Sequence, residues 1–240
     1  MSTFAQVKAR VASYLLDVPS TLLSEIPGMV NAVIRRAQEK HNFRVMETTF
    51  ADQLTTKEVR KLANKPTDWK ESRGDPWYKD VKGSLYQMEW APSLQDAVRA
   101  YDDYPTVDKG YPMHLLEQDT EFWVYPYPDG LSDHPGGEYR ITIPYWKFLA
   151  ALSADSDSNW FTTNAEDFVV YGAVGEGFAF NFDETRHQFW GLTYDQRTMR
   201  PLGKAAVELY RLTRKDRLSK LTRGLTLHPR RDVRQPFIRR

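Results

Sequence analysis

The chain contains no cysteine. That absence excludes disulfide staples, thiolate-ligated zinc and a cysteine nucleophile, and it fits maturation in a reducing cytoplasm. No stretch approaches the run of about 20 apolar residues that a membrane-spanning helix needs. The N-terminal MSTFAQVKARVASYLL has an apolar face, but Lys8 and Arg10 interrupt it as a signal core, so a soluble, unsecreted product is expected. The five histidines, His41, His114, His134, His187 and His228, form no H-x-x-x-H or H-x-H set, so no metal site is expected. There is no G-x-S-x-G elbow. The glycines from Gly172 to Gly177 lack the following Lys-Ser/Thr of a phosphate loop. No internal repeat appears. The expectation is a protein without cofactor and without enzymatic activity.

What is present is enough for a packed core. The 240 residues are 41% hydrophobic and 13% aromatic, which suits one sizeable domain or a domain carrying an insertion. The net charge of +1 conceals a partition. Between Glu89 and Glu138 eleven acids face only Arg99 and Lys109, whereas from Arg197 to Arg240 fourteen Lys or Arg face Glu208, Asp216 and Asp232. Separated charge of this kind steers oriented association. A solvated acidic face with a loose basic tail is the plainer reading of the same composition.

Apolar spacing predicts a helix over 4–16, on Phe4, Val7, Val11, Tyr14 and Leu15, stopped by Pro19. A second helix is expected from Pro27 to His41, with proline tolerated in its first turn. Phe43–Phe50 alternates as a strand does. In the middle, Thr55–Asn64 reads as a short helix, and Leu85–Trp90, His114–Gln118, Glu121–Tyr125 and Tyr139–Tyr145 read as strands separated by Gly/Pro turns. Together these predict a small antiparallel sheet inserted between helices, an α+β arrangement. A helix from Glu184 should be kinked or broken at Pro201, and helical spacing resumes at Lys204 with Ala205, Ala206, Leu209 and Leu212. Beyond Leu221 the pattern fades into an extended basic arm.

The most informative segment is Leu152–Phe182, LSADSDSNWFTTNAEDFVVYGAVGEGFAFNF. Thr163 and Glu166 have capping-box spacing. Phe168, Tyr171, Gly172, Gly175, Phe178, Ala179 and Phe182 then recur at helical spacing. Each interior glycine costs roughly 1 kcal/mol against alanine, which makes sense where another backbone approaches closely.

The element order over residues 3–220, and Leu152–Val174 most specifically, resembles the head-to-tail adaptor (connector or head-completion) proteins of short-tailed bacteriophages. The resemblance implies a mainly helical bundle of about four helices with a small inserted antiparallel β region. The corresponding division is a helical core at 1–50 and 138–222, an insertion at 51–137 and an extended C-terminal arm at 223–240. It also implies a virion structural protein, assembled in the host cytoplasm and placed at the head–tail junction. There it forms a twelvefold ring with copies of itself, under the portal protein, and receives tail proteins (nozzle or tail fibre).

Three local patterns compete with that reading. Asp155, Asp157 and Asn159 with Glu166 imitate a calcium loop, but Trp160 stands where the sharp turn needs glycine. The acids of the middle, with Trp77, Tyr78, Trp90, Trp123 and Tyr125 as sugar platforms, invite a peptidoglycan hydrolase. Some adaptor relatives are linked to cell-wall degradation, yet no carboxylate pair stands out by spacing. In the arm, Arg230, Arg231, Arg234, Arg239 and Arg240 are interleaved with Phe237 and Ile238. These residues suit docking on the portal, which the resemblance favours, a solvated tail, or sequence-blind contact with DNA phosphates in the channel.

Overall fold

The computed structural model describes residues 2–15, 19–79, 84–101, 109–131 and 138–224. The chain divides into two units, one formed by Met1–Arg44 with Ala151–Arg240 and the other by Val45–Ala150. The helices are α1 (Phe4–Tyr14), α2 (Ser20–Lys40), α3 (Leu94–Tyr101), α4 (Trp160–Asn164), α5 (Glu166–Phe180), α6 (Glu184–Trp190) and α7 (Lys204–Gly224). All but α3 belong to the first unit.

In that unit α1 starts at a capping box between Thr3 and Gln6, and it buries Phe4, Val7 and Val11 as its spacing predicts. Helix α2 corrects the expected start at Pro27, because it begins at Ser20 and carries Pro27 inside. The buried stripe Leu22, Ile26, Met29, Val30, Val33, Ile34 and Ala37 runs straight through the proline. Tertiary burial along two extra turns outweighs the roughly 3 kcal/mol that an interior proline costs.

Helix α5 packs against α1, α2, α4, α6 and α7. Its glycines are the contact points. A Cβ on Gly172 would lie 2.5 Å from Val33 Cγ1, and one on Gly175 would lie 2.5 Å from Gly191 Cα. The close backbone approach expected at these glycines is present at Gly175, whereas at Gly172 the close neighbour is the Val33 side chain. Two details differ from expectation. The cap is Asn159, paired with Thr162, and it starts the separate short helix α4; α5 then begins at Glu166 without a side-chain cap. Phe182 does not continue the buried face: α5 ends at Phe180, and Phe182 takes φ 58° with its side chain 96% exposed. Helix α6 likewise stops at Trp190, well before Pro201, where Gly191 accommodates the backbone of α5.

The second unit overturns the expected four-helix bundle with a small β insertion. Among the described residues there are seven helices and eleven strands in three sheets. The strands are β1 (Glu47–Leu54), β2 (Lys61–Asn64), β3 (Trp69–Ser72), β4 (Trp77–Lys79), β5 (Leu85–Gln87), β6 (Glu89–Trp90), β7 (Lys109–Gly110), β8 (His114–Gln118), β9 (Glu121–Tyr125), β10 (Tyr127–Pro128) and β11 (Arg140–Lys147). One sheet runs β1-β11-β4-β5, with β3 also paired to β11; a second runs β2-β9-β8-β6; β7 and β10 form a parallel pair. The second sheet is mixed, since β6 pairs with β8 in parallel.

The physical reason for the larger β region is a core of its own. Tyr78, Met88, Leu115, Phe122, Val124, Tyr139, Ile141 and Ile143 form one buried cluster drawn from both larger sheets. The alternation Tyr139, Ile141, Ile143, Tyr145 supplies its most regular face. Trp69 stacks on Tyr145 at 4.8 Å, and the Tyr145 hydroxyl donates to Asp68 Oδ1 at 2.9 Å. Burial, reinforced by that carboxylate, pushes the Tyr145 phenol up to about 12. The segment expected as a helix over 55–64 instead turns through Glu58 at φ 59° and becomes β2, paired with β9.

Candidate assembly surfaces

The Ser/Asp loop that resembles a calcium site is a structural clamp. Asp157 Oδ2 accepts from the backbone N–H groups of Ser153 and Ala154, both at 2.8 Å, and these bonds hold its carboxyl below the usual range. The carbonyls of Asp157 and Asp155 accept from the N–H groups of Phe4 and Ala5, which are orphan donors at the start of α1. Asp155 pairs with Lys8, and Asn159 caps α4. Glu166 accepts from Ser2 and, at 2.8 Å, from Arg10, whose other nitrogen reaches Asp167 at 2.6 Å. The Ser2 and Arg10 bonds lower the Glu166 carboxyl, and the same ion pairing raises Arg10. Every side chain of the calcium imitation is thus engaged: Asp155 and Glu166 fasten the N-terminal segment, Asp157 braces the loop and Asn159 caps α4.

The acidic middle is less acidic in space than along the chain. Lys61 pairs with Glu121 at 2.5 Å, Lys65 with Glu117 at 2.7 Å and Lys109 with Glu58 at 2.9 Å. Lys61 and Lys65 precede the counted window, so a linear tally misses them. Of the five aromatics considered as sugar platforms, Tyr78 and Tyr125 are buried. Trp90 packs on Phe122 and donates to the Gly74 carbonyl at 2.8 Å; Trp123 donates to Glu121 at 3.0 Å. Trp77 lies half-buried on β4.

The seven arm residues singled out for portal docking, Arg230, Arg231, Arg234, Phe237, Ile238, Arg239 and Arg240, lie outside the described residues. The helix that leads to them is described. Ala205, Ala206 and Leu209 bury one face of α7, and Lys204 sits 3.8 Å from the centre of the Trp190 ring. Farther along, Asp216 accepts from His41 Nε2 at 2.9 Å and from the Arg44 N–H at 3.1 Å, tying α7 to the chain just after α2. Beside that buried face, Val207, Tyr210, Arg214 and Arg217 follow at i, i+3, i+7 and i+10. Val207 is half-buried; Tyr210, Arg214 and Arg217 are exposed.

The helical unit also carries an apolar groove that the sequence did not reveal. Helices α2 and α5 run in opposite directions, since Gly172 meets Val33 while Gly177 meets Leu22. At one end of this pair, Gly28, Met29 and Ala32 of α2 face Ala179 and Phe180 of α5 across a groove of about 400 Å³. Glu25 and Glu176 complete its lining. Phe180 is 60% exposed there, two residues before the still more exposed Phe182. The missed signal was Phe180 itself, because helical spacing had assigned the burial to Phe182.

No helix among the described residues is long and apolar enough to cross a membrane. No curated protein matches the sequence. The model of the SU10 adaptor protein family, however, matches residues 2–219, and so takes in the α1 clamp, the α5 glycines, the strand-rich unit and most of α7. Coverage on that scale bears out the resemblance to phage head-to-tail adaptors: the chain belongs to the SU10 adaptor protein family.

Proposed function

We propose that this chain is a virion structural protein whose copies form a twelvefold adaptor ring between the portal vertex and the tail of a bacteriophage. The observation that carries the reading is family membership over residues 2–219. The helical unit forms the ring, the strand-rich unit faces the tail proteins (nozzle or tail fibre), and the C-terminal arm beyond the family match docks on the portal. Arg230, Arg231, Arg234, Arg239 and Arg240 meet acidic portal surface there, while Phe237 and Ile238 fill apolar pockets. Each contact is weak by itself. Repetition around the ring converts weak contacts into a locked joint through effective concentration.

The test is deletion of Leu227–Arg240. The truncated chain is expected to stay folded and to lose binding to purified portal rings, read by co-sedimentation and electron microscopy. Truncated protein that binds portal as well as the full chain does would remove the arm from this role.

A further inference from the structure

We propose that the α2/α5 groove receives the outer face of α7 from a second copy of this chain. The inference rests on the ring reading above and names the contact that builds it. The groove is apolar along its floor, and both charged residues in its lining, Glu25 and Glu176, are acidic. Glu25 is exposed, and Glu176 reaches Arg36. The outer face of α7 is the complement, with Val207 and Tyr210 as apolar contacts and Arg214 and Arg217 as cations.

Lengths agree as well. Glu25 to Ala32 on α2 and Tyr210 to Arg217 on α7 are each seven residues apart, about 10 Å at 1.5 Å per residue. The exposed Gly28 and half-buried Ala32 let a helix approach closely, and the long arginine stems cover apolar floor while their heads reach the Glu25 carboxylate. Phe180 lines the groove with 60% of its surface in solvent, which leaves apolar area to be covered by whatever docks. Within one copy, α7 packs on α5 and buries Ala205, Ala206 and Leu209, while Tyr210, Arg214 and Arg217 of this stripe stay exposed. One patch therefore meets a different patch on the next copy, and such a heterologous contact generates a ring when its rotation closes.

The experiment uses full-length chains mounted on portal-bearing heads. Because the sequence has no cysteine, Ala32→Cys and Tyr210→Cys each introduce a single thiol. A short bis-maleimide is expected to join an A32C chain to a Y210C chain when the two are mixed, and to join neither variant to itself. In parallel, Glu25→Lys and the pair Arg214→Glu with Arg217→Glu should each lower the amount of mounted protein at least tenfold. Like charges facing each other across an interface cost several kcal/mol, and the combined charge swap should recover much of the loss.

A cross-link of A32C to itself would show a two-fold contact and overturn the assignment. Multi-copy mounting with no mixed cross-link, or with neutral charge reversals, would overturn it while leaving the ring reading intact. Arg214→Glu with Arg217→Glu that loosens DNA retention and leaves mounting unchanged would make the stripe a DNA face. Portal that carries no multi-copy assembly of the wild-type chain would bring down the ring reading, and this inference with it.

Discussion

Replacing the helical glycines one at a time with alanine separates propensity from packing. Four positions share the same substitution and differ in what the new Cβ meets. At Gly28 on α2 nothing lies within 4 Å. The helix gain of roughly 1 kcal/mol should appear there as added stability. At Gly177 the nearest atoms are Leu15 Cδ1 at 2.9 Å and Cδ2 at 3.1 Å, the far end of a flexible side chain, so gain and strain should nearly cancel. Gly172 meets Val33 Cγ1 at 2.5 Å, and valine has little rotamer freedom in a helix. At Gly175 the new Cβ would sit 2.5 Å from Gly191 Cα and 2.7 Å from Gly191 N, which is backbone and moves only with the whole α6–α7 connection. Overpacking costs about 1–3 kcal/mol and more where backbone must shift, so after the propensity gain Gly175→Ala should lose about 2 kcal/mol. For a chain of this size that is a fall in Tm of about 4–8 °C, against a rise of about 2–4 °C for Gly28→Ala. Thermal melts by circular dichroism at 222 nm read both. A Gly175→Ala chain as stable as the parent would refute the claim that backbone contact dictates this glycine.

Three further outcomes are expected. Glu166 is lowered by its Ser2 and Arg10 bonds, so the stabilisation is complete above the ordinary value of 4.5 and is lost as pH falls through the depressed folded value. Acid unfolding followed by tryptophan fluorescence should therefore be shallower in Glu166→Gln. The Tyr145 phenol behaves in the opposite sense, since an unfolded tyrosine ionises near 10 and the folded one at about 12. Stability should decline as pH rises from 10 towards 12, and Tyr145→Phe should flatten that decline in alkaline melts. Asn159→Ala removes the side chain that accepts from Phe161 and Thr162 at the start of α4, and it should cost about 1 kcal/mol in denaturant titration.

The helices were more legible in the sequence than the sheets, for a reason that particular residues expose. The stripes of α1 and of the first turns of α7 lie on one face at 3.6-residue spacing, so local pattern and final burial coincide. Where the reading failed, the deciding contact was distant. Nothing near Pro27 tells that Leu22 meets Gly177 of α5, so the spacing starts the helix about two turns late. Strands β3 and β4 are too short for alternation to register, and they exist because β11, paired with β1 along one edge, offers the two ends of its other edge to them. The aromatic residues of the middle looked like a binding platform because side-chain type shows no burial. Phe122 and Tyr78 lie in a core that the sequence scattered over four strands.

The surfaces were legible in proportion to how local their chemistry is. Arginine spacing in α7 and the arm is visible in one dimension, whereas the groove needs α2 and α5 to be antiparallel before Glu25, Ala32 and Phe180 share a wall. The charge partition shows the limit of linear counting in the other direction. Lys61 and Lys65 fold back on Glu121 and Glu117, so part of the acidity counted between Glu89 and Glu138 is neutralised inside the strand-rich unit. In the proposed ring, steering between copies therefore falls less on that unit than its composition implies. The exposed carboxylate of Glu25, beside an apolar floor, is a nearer match for the cations of α7. A joint built this way holds its charges at the rim, where salt weakens them, and its apolar contacts at the centre, where it does not. For the proposed ring, raising ionic strength should slow assembly more than it dissolves rings already formed.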